Sequence, residues 1–325
     1  RRPNVFGRTC TSHSVKCTVA GAVGSLPSPS SPRAKLRGRT ALQKSYKLEG
    51  CSLVRAGTRS VVFRLAHRDS GRVDAVKTMP ADSSAEAQLR LLRRLRHPNI
   101  GNLLDSYRSE ASAGKSGYVH LALECCSGGS LYDYLFDSSA KEPKGAPIDV
   151  VPLLSWQAAA AIAYCHRSGV CHRDVKLENF MLASATAKPA LKLIDFGLAC
   201  RCKASGKMAT RVGTPHYVAP EVLLGSYTPK CDVWGLGVVI FLLCVGRPPF
   251  PGAGDEEILR KVRDGAPEYR QQDWLQDDLK KAKLMLGSAL DRDANARLSA
   301  SALLRHPWLA RAAPRSCCRC LPWSS

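Results

Sequence analysis

Hydrophobic and polar positions divide the chain into stretches of different period. Residues 1–45 show no sustained periodicity and are rich in Ser, Pro, Gly and Arg, with Ser-Pro repeats around residues 28–32, which predicts a disordered arm. Over residues 46–79, short β-branched runs are broken by Gly57 and by Asp69-Ser70-Gly71, which predicts strands. Asp82 or Ser83 is placed to cap a helix running to about Arg96, with Leu89, Leu92 and Leu95 on one face and His97-Pro98 ending it. Tyr118–Glu124 predicts another strand. Beyond Ser130 the period turns helical, and Val151, Leu154, Ala158, Ile162 and Cys165 share a face up to Gly169. The longest apolar run, residues 233–245, is shorter than the ~18 residues a bilayer requires and predicts a buried core helix. There is no internal repeat. A small β-rich half therefore precedes a larger helical half.

Composition sharpens this picture at two points. The formal charge is +21, from 48 Lys+Arg against 27 Asp+Glu, which by itself favours polyanionic partners. No acid occurs before Glu49, however, so much of the excess belongs to the arm rather than to a binding face. That arm has no interleaved aromatics, so nucleic acid is not expected as the main partner. An acid-free, Arg- and Ser-rich start also fits an organelle transit peptide, although an intracellular, cytoplasmic location is the expectation. The 14 cysteines form no zinc-finger spacing and read as reduced thiols. Cys317, Cys318 and Cys320 lie beside Arg315 and Arg319 in a short tail, residues 310–325, that offers a palmitoylation site only if it is more than an unstructured end. The first residue is Arg rather than Met, so a fragment or processed form is expected.

Three motifs carry the chemistry. His172-Arg173-Asp174-Val175-Lys176-Leu177-Glu178-Asn179 comes first, then Asp195-Phe196-Gly197 after the apolar run 191–194, then Ala219-Pro220-Glu221. Any one arises by chance; in this order and spacing they are specific. From Tyr46 to about Leu309 the chain resembles a eukaryotic serine/threonine protein kinase, and within that family the calcium/calmodulin-dependent and calcium-dependent group. Residues 212–221, residues 230–238 and Gly246-Arg247-Pro248-Pro249-Phe250 carry the narrower likeness. The resemblance implies an α+β, bilobal protein kinase fold. A small β-rich N-lobe with one helix (46–124) is expected, followed by a large, mainly α-helical C-lobe (127–309), with the active site between them under the loop at Gly57.

It also implies ATP and Mg²⁺ as cofactors and protein substrates with Ser/Thr acceptors. Phosphoryl transfer needs an oriented nucleophile and shielding of phosphate charge. Asp174 is expected to orient the substrate hydroxyl, Lys176 to contact the transferring phosphate with support from Thr214, and Asn179 and Asp195 to ligate Mg²⁺ through oxygen. Ala75-Val76-Lys77 fits the strand presenting the nucleotide-phosphate lysine, Lys77. Glu124 and Cys126 would bind adenine through backbone groups, and Val54, Val62, Ala75, Leu123 and Met181 would sandwich it. Arg173 is of the type that holds a phosphorylated activation loop or only braces it, with Thr210 the nearest acceptor. Glu221 with Arg297, and Asp232 under the catalytic loop, are expected as scaffold.

The pattern also breaks. Of the expected G-x-G-x-x-G loop, Arg55-Ala56-Gly57-Thr58-Arg59-Ser60 keeps only the middle glycine, so the backbone approaches phosphates less closely. The helix position that should carry a glutamate for Lys77 is Gln88, and Glu86 lies about 200° around a helix from it. A glutamine bonds Lys77 without neutralising it. Ser130 stands where the group usually has Glu, while Glu178 and Asp133 keep acids nearby, so a preference for basic substrates is expected in weakened form. Asp291, Asp293 and Asn295 mimic half of an EF-hand loop, but Ala296 and Ala302 replace the required Gly and Glu, so no intrinsic calcium site is expected. An active, monomeric kinase is the leading reading, and a pseudokinase scaffold with weak or no turnover is the alternative.

Overall fold

The computed structural model describes residues 41–109, 117–136, 145–186, 190–202, 206–210 and 212–314. The arm before residue 41 and the cysteines of the tail lie outside them. The described chain forms two compact units. One contains the residues up to Leu89 together with Leu103–Cys125, and the other contains Arg90–Asn102 together with the residues from Cys126 onward.

The first unit opens with a short helix, α1 (Ala41–Ser45), where the pattern predicts the end of the arm. Leu42 draws it in, being 2% exposed in a cluster with Tyr46, Leu65, Val76 and Ala122. Five strands follow, β1 (Tyr46–Ala56), β2 (Val61–His67), β3 (Val73–Pro80), β4 (Leu103–Ser109) and β5 (Tyr118–Glu124), with α2 (Ser83–Leu92) between β3 and β4. They form one antiparallel sheet in the order β1-β2-β3-β5-β4. Tyr46 closes its buried side: its hydroxyl donates to Asp74 Oδ2 at 2.6 Å, and Arg72 pairs with the same carboxylate.

Asp82 caps α2, its Oδ1 accepting from Ala85 N–H at 2.9 Å. The helix stops at Leu92 rather than near Arg96. Arg94 N–H and Leu95 N–H bond back three residues, tightening the last turn, and the Arg96 guanidinium takes the carbonyls of Leu92 and Leu95. Leu89, Leu92 and Leu95 are all buried as the spacing predicts. The segment after the helix belongs to the second unit, so a linear N-lobe over 46–124 is interrupted. Asn99 binds it there through Gln157 Oε1 and the Leu191 carbonyl, both at 2.9 Å.

The second unit is mainly helical. It runs through α3 (Leu131–Leu135), α4 (Val151–Arg167), the short strands β6 (Val170–Cys171), β7 (Phe180–Leu182), β8 (Leu191–Leu193) and β9 (Cys200–Arg201), and α5 (Pro220–Leu223). Then come α6 (Lys230–Val245), α7 (Asp255–Asp264), α8 (Asp277–Ala289), α9 (Ala300–Leu304) and α10 (Pro307–Ala310). β6 pairs with β9, and β7 with β8. Ser130 and Asp133 form a capping box on α3. α6 is apolar all round and buried from Cys231 to Cys244, the core helix expected for residues 233–245. It ends at Gly246, whose φ of 71° is a left-handed cap that a β-carbon would strain. Among the described residues no helix is long and apolar enough to cross a membrane.

Candidate active site

The site is built on the loop between β6 and β7, which the buried Asp232 of α6 holds from below. Its two oxygens accept the backbone N–H groups of His172 and Arg173, each at 2.8 Å, and His166 Nε2 lies 2.9 Å from Oδ2. Burial alone would raise this carboxyl, but the hydrogen bond from His166, the neighbouring histidines and the His172 N–H hold it below the usual carboxylate range. His172 ties the loop to the strand before Asp195: Nε2 bonds the Ile194 carbonyl at 3.0 Å, leaving Nδ1 to accept from Asp174 N–H at 3.3 Å. Its ring meets Phe196 edge-on at 4.9 Å. Among the described residues only Arg173 and Asp195 combine a side chain with positive φ, at 66° and 59°. Both sit here, and such conformations persist where surroundings over-determine them.

Four of the expected polar residues converge. Lys176 Nζ is 2.8 Å from Asp174 Oδ2 and 3.0 Å from Thr214 Oγ1. Thr214 donates to Asp174 Oδ1 at 3.1 Å. Asn179 Nδ2 donates to the Asp174 carbonyl at 2.8 Å and to its Oδ2 at 2.9 Å. Asn179 Oδ1 is left buried without a protein partner. An orphaned amide oxygen beside a carboxylate is a hard donor suited to Mg²⁺, and Asp195 of the same unit carries a carboxylate, also a hard oxygen donor. Cys126 and Met181 also lie in this unit, where Ser127 and Gly128 donate to the carbonyls of Ala183 and Leu182 along β7.

The scaffold pair is present as well. Arg297 meets Glu221 at 2.5 and 2.9 Å, both nearly excluded from water, with the guanidinium over the Trp234 ring. The Asp291 and Asp293 carboxylates cap the backbone N–H groups of Asp293 and Asn295, and Arg297 takes the Asp291 carbonyl.

The remaining expected residues stand on the sheet of the first unit. Val62 is opposite Lys77, and Ala75 opposite Leu123, so the four share one face. Glu124 ends β5, and Val54 falls in a bulge of β1 and is exposed. Gly57 N–H closes the β1–β2 turn on the Ser60 carbonyl at 2.8 Å. Arg59, a candidate extra charge for phosphate, pairs with Asp82 instead. Lys77 and Gln88 are buried. Glu86 pairs with Arg108 of β4 at 2.8 Å, so it is engaged on a different side of α2 from Gln88.

Two participants have no signal in the sequence pattern. His166 supports Asp232 from α4, a contact between residues far apart in the chain. Tyr227 donates to the Thr210 carbonyl at 2.6 Å and pairs by backbone with Met208, while Arg173 donates to the Leu198 carbonyl at 2.6 Å. The segment after Asp195 is thus held by the Arg173 guanidinium and by Tyr227, both through backbone carbonyls.

Residues 51–309 match the protein kinase domain model. The chain is 34% identical over 223 residues to calcium-dependent protein kinase 3 of Plasmodium berghei (strain Anka), covering 68% of this chain and 38% of that protein. It is 35% identical over 226 residues to calcium-dependent protein kinase 22 of Oryza sativa subsp. japonica, covering 69% and 38%. It is also 35% identical over 216 residues to calcium-dependent protein kinase 10 of Arabidopsis thaliana, covering 66% and 37%. The matched region spans less than half the length of each of these curated relatives. A family match across most of the chain makes this chain a member of the protein kinase family.

Proposed function

We propose that this chain is a serine/threonine protein kinase that transfers the γ-phosphoryl group of ATP to Ser or Thr hydroxyls of protein substrates. The observation that carries the reading is the Asp174 carboxylate, braced by Lys176, Thr214 and Asn179 at 2.8 to 3.1 Å. Bound Mg²⁺ and ATP would supply charge neutralisation and the phosphoryl group. Asn179 and Asp195 would hold the metal. Asp174 would accept or orient the acceptor's proton, Lys176 would balance charge beside it, and Thr214 would fix both. Lys77 would hold nucleotide phosphates, with Val54, Val62, Ala75, Leu123 and Met181 around adenine, backbone groups of Glu124 and Cys126 on its edge, and Gly57 over the phosphates.

A mild preference for basic substrates goes with this reading. Asp133 is spent on capping Ser130, so Glu178 is the acid that would face an upstream Arg. We take the active form to be an intracellular monomer that needs neither calcium nor nucleic acid.

A specific observation favours a second reading, a pseudokinase scaffold: the buried helix position opposite the lysine's role is Gln88, and its acidic neighbour Glu86 is engaged by Arg108. The test is MgATP with a Ser/Thr peptide library. Recovery of phosphoserine or phosphothreonine, enriched two- to fivefold in peptides with an upstream Arg, is expected; nucleotide binding with no labelled peptide would favour the scaffold.

A further inference from the structure

Nine described cysteines are free thiols, and several gather beside the catalytic loop. Cys171 directly precedes His172, and Cys231 directly precedes Asp232. Their sulfurs are 3.7 Å apart and both residues are buried. Directly across the β6–β9 ladder from Cys171 stands Cys200, which is half-buried and therefore reachable from solvent. Its sulfur touches Met208 Sδ at 3.3 Å. A half-buried thiol thus stands in ladder register with Cys171, which in turn neighbours the buried Cys231 beside the anchor of the catalytic loop. With Asp232, Cys171 and Cys231 also bring three metal-type ligand atoms together. Both Asp232 oxygens are already taken by loop N–H groups, however, so oxidation rather than metal binding suits the set.

We propose that Cys171 and Cys231 are an oxidative modification site: a hydroperoxide enters at Cys200, and the chain ends with a Cys171–Cys231 disulfide that disables the catalytic loop. The Cys200 sulfur attacks the peroxide, the O–O bond breaks, and one alcohol or water leaves with the thiol's proton, giving a sulfenic acid. Cys171 sulfur attacks that sulfenic sulfur, the S–O bond breaks, and water leaves with the second proton. Cys231 sulfur then attacks the Cys171 sulfur of the mixed disulfide, and its proton passes to the departing Cys200 thiol. In sum, two thiols and one hydroperoxide give one disulfide, one alcohol and one water, a two-electron oxidation.

Entry is slow by design of the surroundings. Burial pushes the Cys200 thiol up, opposed by the Arg173 guanidinium, and the hydrogen bond to Cys231 together with burial pushes Cys171 up. The site would therefore respond to sustained peroxide rather than to traces. The consequence follows from geometry. Closing 3.7 Å to a disulfide bond of about 2.05 Å pulls the residue before His172 against the residue before Asp232. The two 2.8 Å bonds that seat the loop run from the N–H groups of His172 and Arg173 to Asp232, just beyond the two cysteines. A shift of roughly 1 Å in a catalytic group lowers turnover by up to about 100-fold.

The experiment treats the full chain with hydrogen peroxide at pH 8, alkylates remaining thiols and maps tryptic peptides, with fragmentation separating Cys231 from Cys244. A peptide cross-linked from Cys171 to Cys231 is expected. Phosphate transfer should fall at least tenfold in parallel and return with dithiothreitol. Cys200→Ser should leave activity before oxidation unchanged and slow cross-linking at least fivefold. Cys231→Ala should halt the sequence at Cys171–Cys200. The activity arm rests on the phosphotransfer reading, whereas the peptide map does not, so the two fail separately. Cys171 and Cys231 both recovered as alkylated thiols, or a cross-link at other cysteines only, overturns the proposal.

Discussion

The two units treat their key charged groups differently. In the second, Asp174 is held on both oxygens, its loop is seated on Asp232, and His172 ties it to the strand before Asp195. In the first, Lys77 and Gln88 are buried on β3 and α2, and the β1–β2 turn closes from Gly57 N–H to the Ser60 carbonyl. The first unit still folds with care: Tyr46, Asp74 and Arg72 close its sheet, and Asp82 caps its helix. On the proposed reading, its departures fall on nucleotide handling rather than on stability. On that reading, acceptor-side chemistry and nucleotide grip rest on separate sets of contacts, so that one set can be softened alone.

The largest effect should come from the second unit's scaffold. Glu221→Gln leaves the buried Arg297 without its countercharge and should cost about 3–5 kcal/mol in urea unfolding. A loss below about 1 kcal/mol would mean that the pair is solvated. Next comes Gln88→Glu, which on the proposed reading would supply a countercharge for Lys77. We expect roughly a tenfold rise in kcat/KM for ATP, about 1.4 kcal/mol, with little change in the peptide KM. No change would place the slow step in the second unit and remove the contrast.

Histidines probe both units by pH. Burial pushes His120 of the first unit down to about 4. Burial, with the charges of Arg167 and Lys192, does the same to His97 of the second. Below pH about 6.5 the unfolded chain protonates them and the folded chain does not. Stability should thus fall as pH drops from about 6.5 to 4, by up to ~1.4 kcal/mol per pH unit for each. His120→Gln should flatten that slope, read by unfolding at pH 5 and 7. The smallest effect is Arg59→Ala, which removes an exposed pair with Asp82 and should change stability by about 0.5 kcal/mol or less.

Much of this was legible in the chain because periodicity reports burial. α4 falls where helical spacing puts it, and β5 and α6 fall where a short and a long apolar run put them, because each run is buried along its length. The end of α2 was not, because side-chain capping by Arg96 decides it rather than apolar spacing. Nor was α1, where a single leucine beside a basic arm carries no period. In the site, motif order pointed to Asp174, Lys176, Asn179 and Thr214. The tie from His166 to Asp232 and the closeness of Cys171 to Cys231 arise only when α4, β6 and α6 pack. Contacts between distant segments leave no local trace in composition.

The central claim is that the Asp174 group performs phosphoryl transfer despite a softened nucleotide side. The direct measurement is transfer of labelled γ-phosphate from MgATP to Ser/Thr peptides by the wild-type chain and by Asp174→Asn, with nucleotide affinity measured in both. The account predicts measurable wild-type transfer, a fall on the order of 1,000-fold in the variant, and ATP affinity changed less than about twofold. Equal transfer by the two proteins, or none by either with ATP bound, would contradict it.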